Sequence, residues 1–97
     1  MKMQSVGFKA DSKLEAFINQ KISKLQKFND NITGCEVFLN LEKSETLENK
    51  VVEVKMGIPG QELFAKKQCK TFEEATDMVA DALRTQILKH KEKLQAK

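Results

Sequence analysis

Residues 34–67 read GCEVFLNLEKSETLENKVVEVKMGIPGQELFAKK. In the first eight, Cys35, Val37, Leu39 and Leu41 alternate with Glu36, Phe38 and Asn40. A strand turns successive side chains to opposite faces, so this alternation predicts a strand over 34–41 with one buried side. Residues 50–58 repeat the pattern, with Val52, Val54, Met56 and Ile58 inward and Glu53 and Lys55 outward. The polar run from Glu42 to Asn49 connects the two. Pro59-Gly60 is a turn pair. Residues 62–67 make a third short strand, and its polar character after Phe64 suits a sheet edge. Strands with one polar face need an apolar cover for the other, and the flanking sequence has to supply it.

It does so on both sides. Upstream, Leu14, Phe17, Ile18, Ile22, Leu25 and Phe28 recur at helical spacing and fill one sector of an amphipathic helix. Asp11 and Ser12 are N-cap candidates, with Glu15 at capping-box distance from Ser12. The turn formers Asn29, Asp30 and Asn31 end the helix near Phe28. Downstream, Thr71 caps a last helix with Glu74 at the capping-box position. Its apolar stripe is Phe72, Ala75, Val79, Ala82, Leu83, Ile87 and Leu94, and the small Ala75 and Ala82 allow close approach. Residues 1–8 read as a further strand, with Met1, Met3 and Ser5 on one face and Lys2, Gln4, Val6 and Phe8 on the other. The order is β-α-β-β-β-α. It predicts an α+β fold: a four-stranded sheet with two helices packed on one face.

The chain's 97 residues have room for one domain, over 1–97, and one modest core. Hydrophobic residues at 40% and charged residues at 32% describe a globular chain rather than a disordered one. No apolar run reaches the ~20 residues of a membrane span. The start, MKMQSVGFKA, lacks the apolar centre of a signal peptide, so a cytoplasmic location is expected. Cys35 and Cys69 form no CxxC pair and read as buried free thiols. One histidine and no tryptophan or tyrosine make a poor kit for catalysis. No enzyme activity, metal or cofactor is expected. Asp77 and Asp81 form an i,i+4 acid pair without companion ligands and read as a solvated acidic face.

The net charge of +3 is unevenly spread. Segment 71–83 carries Glu73, Glu74, Asp77 and Asp81 and no base; segment 84–97 carries Arg84, Lys89, Lys91, Lys93 and Lys97 against Glu92. Helix-dipole complementarity explains such an asymmetry, and so does an anion-binding end. On the first helical wheel Lys21, Lys24 and Lys27 fall within about 80° of Lys13, along one flank of the apolar stripe. No acid of that helix shares the sector. On the last helix Arg84, Lys89, Lys93 and Lys97 climb turn by turn, with Gln86 and His90 between them. Packed side by side, the two stripes would merge into a patch that binds phosphates by charge and reads few bases. His90 lies along the apolar stripe, where packing or a phosphate contact suits it better than catalysis. No Gly-rich phosphate loop occurs, and Phe8, Phe38 and Phe64 do not make an RNP-type stacking pair.

Three runs, GFKADSKLEAFINQKISKLQKF, MGIPGQELFAKK and TFEEATDMVADALRTQILKHKEK, together resemble the ribosome hibernation-promoting factor family. Its members are also called ribosome-associated inhibitors or sigma-factor modulation proteins. The resemblance covers nearly the whole chain. Its most specific parts are KISKLQKF at Lys21 to Phe28 and LRTQILKHKEK at Leu83 to Lys93. It implies the same β-α-β-β-β-α fold, similar to double-stranded RNA-binding domains with an added strand. It also implies binding to the small ribosomal subunit and its rRNA in the decoding region, where mRNA and the A- and P-site tRNAs would lie. The factor would compete with them and silence translation under stress or in stationary phase. The rRNA contacts it implies fall on Lys21, Lys24, Lys27, Gln86, Lys89, Lys91 and Lys93. The family usually has Glu-Arg before that glutamine. Here Arg84-Thr85 displaces the charge by one position, about 100° around the helix, and Arg84 joins the candidate set. The length resembles the short form, which lacks a ribosome-dimerising domain and often works with a second small dimerisation factor.

Two other readings stay open at this point. One is a generic double-stranded RNA-binding module. Against it, the last helix opens with acids and not with a Lys-Lys-x-x-x-Lys cluster. The other is a protein-interaction regulator of a transcription factor, as the older family label suggests.

Overall fold

The computed structural model describes residues 2–27, 32–42 and 48–95, and within these the side chains of Gln26 and of 91–95 lie outside the description. The elements are β1 (Lys2–Val6), α1 (Ser12–Ser23), a 3-10 turn (Lys24–Lys27), β2 (Gly34–Leu41), β3 (Lys50–Ile58), β4 (Gln61–Cys69) and α2 (Phe72–Gln95). The expected order and α+β class are therefore observed. The sheet order is β1-β2-β3-β4. β2, β3 and β4 form an antiparallel meander. β1 runs parallel to β2, with Met3 opposite Val37, which requires a crossover, and α1 provides it. The sheet is therefore mixed.

The hairpin between β3 and β4 pairs Ile58 with Gln61, leaving Pro59 and Gly60 as a two-residue loop. Proline presets the first position, and Gly60 takes the second at φ 79°, a left-handed conformation that side chains disfavour. β4 is an edge strand, as its polar stretch suggested, but it extends to Cys69, which pairs with Lys50. Two residues beyond the expected end, Gln68 and Cys69, are thus recruited by the length of β3.

One core lies between the sheet and both helices. It joins Val37, Leu39, Val52, Val54, Met56, Ile58, Leu63 and Ala65 of the sheet with Leu14, Ile18, Ile22 and Leu25 from the first helical segment and Ala75, Val79, Leu83 and Ile87 from α2. The inward sets of β2 and β3 are as the alternation predicted, with one exception. Leu41, at the end of β2, is exposed. Val51 is buried although it belongs to the face opposite the core, between Asn40 and Gln68 of the neighbouring strands. Thr76 is also fully buried; its hydroxyl donates to the Phe72 carbonyl at 2.7 Å, so the polar atom is satisfied within its own helix.

Asp11, and not Ser12, caps α1: its carboxylate accepts from the Leu14 N–H at 2.7 Å, a bond worth about 1 kcal/mol. Thr71 caps α2 as expected, accepting from the Glu74 N–H at 3.1 Å. β1 is shorter than the expected 1–8. The chain turns at Gly7, φ 81°, and Phe8 leaves the strand to stack on Phe72 with ring centroids 5.0 Å apart. Phe28, the turn at 29–31 and most of the 42–49 connection, all assigned from sequence, lie outside the described residues.

Candidate nucleic-acid interface

The last turn of the first helical segment is 3-10, not α. In a 3-10 turn residues three apart eclipse one another. Lys24 and Lys27, both exposed, are therefore brought onto one line, and Lys21 precedes them by one further step. This line faces α2. Between the two elements lies a groove of about 390 Å³, lined by Lys21, Lys24, Leu25, Lys27, Asp77, Ala80, Asp81 and Arg84. Leu25 is buried and forms apolar floor, and the small Ala80 lets the helices approach.

Four of the eight candidate residues, Lys21, Lys24, Lys27 and Arg84, thus meet in one place. Gln86 and Lys89 do not join them there. They project from the opposite flank of α2, where with Gln61 and His90 they line a separate hollow at the edge of β4. Gln86 donates its side-chain N–H to the Phe64 carbonyl at 2.9 Å, tying α2 to the edge strand. The helical period explains the division: Gln86 lies about 200° around the axis from Arg84, and Lys89 about 140°. Lys91 and Lys93 belong to α2, and their side chains are outside the description.

The groove is not uniformly positive. Lys21 Nζ lies 3.2 Å from Asp77 Oδ1 and also 5.5 Å from the centre of the Phe17 ring. The carboxylates of Asp77 and Asp81, read from sequence as a solvated acidic face, line the groove as well. The wheel of the first helix contains no acid in the lysine sector; α2 supplies one across the interface. A periodicity confined to one helix carries no signal for such a pair.

Other chemistry is sparse. Cys35 is half-buried and Cys69 buried, and both thiols are free. Burial pushes both thiols up, with carboxylates adding to the shift: Glu36 for Cys35, and Glu74 and Glu48 for Cys69. Raised thiols are poor nucleophiles. The Cys69 thiol donates to the Met78 sulfur at 3.3 Å. Among the described residues no His, Cys, Asp or Glu group has the arrangement of a metal site, and no helix is long and apolar enough to cross a membrane.

Comparison with known proteins bears on this geometry. The family model described as Sigma 54 modulation protein / S30EA ribosomal protein matches residues 1–95. A protein named ribosome hibernation promoting factor from Azotobacter vinelandii is 35% identical over 80 residues, covering 82% of this chain and 71% of that protein. One of the same name from Pseudomonas putida is 35% identical over 83 residues, covering 86% of this chain and 78% of the relative. Among solved structures, a ribosomal subunit interface protein from Coxiella burnetii superposes with a TM-score of 0.83 at 21% identity, covering 93% of this chain and 94% of the other. The N-terminal domain of Protein Y from Thermus thermophilus gives 0.76 at 19% identity, covering 89% and 91%. At these identities the two structures speak for the fold.

Proposed function

Because this chain belongs to the Sigma 54 modulation protein / S30EA ribosomal protein family, we propose that it is a ribosome hibernation factor whose inter-helix groove takes rRNA phosphates on the small subunit. The observation that carries the reading is the convergence of Lys21, Lys24, Lys27 and Arg84 on one groove in a chain whose relatives bear that name. The mechanism is occupancy. A rigid cationic surface settles on RNA backbone in the decoding region and denies that space to mRNA and tRNA. Phosphate contacts of this kind fix position and read little sequence, so selectivity comes from the shape of the cleft. Lys89 adds a contact from the other flank of α2, and Lys91 and Lys93 extend the basic end of the helix. Gln86 gives one N–H to the Phe64 carbonyl, which leaves its amide oxygen and second N–H to meet RNA. The protein acts in the cytoplasm, where its target is, and a second small factor is a candidate partner in ribosome dimerisation.

The test is competition between this protein and labelled initiator tRNA on purified small subunits at two salt concentrations. Mutual exclusion is expected. With about six phosphates neutralised, log affinity should fall with log salt at a slope of roughly −4 to −5. Simultaneous saturating binding would overturn the occupancy mechanism, and a slope near zero would remove the lysines from it. The family's description also names sigma-54 modulation; capture of that factor, with no cosedimentation with ribosomes, would favour a transcriptional role instead.

A further inference from the structure

We propose that Asp77 is a specificity-determining residue of the groove: it occupies Lys21 and turns away any nucleic acid whose backbone runs phosphates through the middle of the cleft. This rests on the reading of the groove as an RNA surface.

A groove built only to attract phosphate would present cations alone. This one sets Asp77 and Asp81 among Lys21, Lys24, Lys27 and Arg84. Asp77 is about half-exposed, whereas Lys21 retains 34% of its side-chain exposure. Lys21 is held between that carboxylate at 3.2 Å and the face of Phe17. A phosphate approaching Lys21 therefore meets a like charge within about one atomic diameter of its target. Like charges in contact discriminate between partners more strongly than they change the best fit. An ordinary RNA duplex carries its phosphates in regular rows and its 2′-hydroxyls in the minor groove between them, so its fixed geometry cannot adjust which group meets Asp77. A folded RNA differs: it can place phosphates beside Lys24 and Lys27 while presenting a hydroxyl or amino donor to Asp77. The ribose 2′-hydroxyl and the exocyclic amines are such donors. The carboxylate then becomes a partner, and the discrimination between the two RNAs grows by both effects.

The test compares wild type with Asp77→Asn on two ligands: purified small subunits and a 20-base-pair RNA duplex of non-ribosomal sequence. Asparagine keeps the shape and removes the charge. Duplex affinity should rise roughly two- to fivefold, the range for an exposed charge pair. The duplex salt slope should steepen by about one, as Lys21 becomes available to a phosphate. Small-subunit affinity should stay level or fall, so the ratio of subunit to duplex affinity drops. Asp77→Ser, read alongside with melting curves, should act in the same direction and guards against an effect of misfolding. Unchanged duplex affinity and slope in both folded variants would overturn the inference while leaving subunit binding intact. Wild-type protein that fails to bind subunits at all would instead overturn the reading of the groove, and with it the selectivity claimed for Asp77.

Discussion

The two flanks of α2 are held by different chemistry. Toward α1 the helix is met by an ion pair, Lys21 with Asp77 at 3.2 Å, above a partly open groove. Toward β4 it is met by neutral contacts, Gln86 to the Phe64 carbonyl at 2.9 Å and the Cys69 thiol to the Met78 sulfur at 3.3 Å. Between them runs one buried stripe of Val79, Leu83 and Ile87. The charged flank keeps groups that an RNA phosphate can recruit. The neutral flank spends its polar groups on closing the sheet edge, where unpaired strand carbonyls otherwise invite other chains. Arg84 and Gln86, two residues apart in sequence, are thus divided between a groove open to ligand and a contact engaged in the fold.

The change with the largest expected effect removes the stripe that both flanks share. Leu83 is fully buried, and Leu83→Ala should cost about 3 kcal/mol in denaturant unfolding. A loss below about 1 kcal/mol would mean that the helix is not anchored through this stripe, and the contrast between its flanks would lose its basis. The next change separates the flanks. Lys24→Glu with Lys27→Glu should weaken small-subunit binding by about tenfold or more at low salt, and Lys89→Glu by only about threefold. All three lysines are exposed, so melting curves should be nearly unchanged. Equal losses would show that RNA wraps both flanks alike.

The smallest expected effect sharpens the chemistry of the neutral flank. The Cys69 thiol is pushed up from 9.0, by burial first and then by Glu74 and Glu48. Above 9.0 the unfolded chain releases a proton that the folded chain still holds. The contribution is therefore fully present below 9.0 and is lost as pH rises through the folded value. Thermal melts from about pH 8 to about pH 10 should show a steeper decline for wild type than for Cys69→Ala. Identical slopes would mean that the thiol's environment does not favour its protonated form.

Much of this molecule is legible in its residues because elements declare themselves by period. Val52, Val54, Met56 and Ile58 announce one face of β3, and Leu14, Ile18, Ile22 and Leu25 announce one face of a helix. Caps are nearly as legible, although Asp11 and Ser12 compete for the same role and only backbone geometry decides between them. What stays hidden are relations between elements. Asp77 belongs to the acidic start of α2 on any reading of charge, and nothing local says that it will face Lys21. Gln86 resembles a ligand contact by register, yet its nearest acceptor is a carbonyl 22 residues away. Val51 alternates as an outward residue and is buried nonetheless, because a central strand is flanked on both sides whichever face is counted.

The parallel pairing of β1 with β2 sets an order of assembly. The β3–β4 hairpin closes around two residues and β2 joins by a further antiparallel pairing, whereas the pairing of β1 with β2 closes a much longer loop that contains α1. Contacts that close longer loops form later and more slowly. β1 has five residues, a neighbour on one side only, and just Met3 partly buried. Its amides should exchange with solvent ahead of those of β3, which is paired on both sides. On these contacts β1 should be the last strand fastened and the first released.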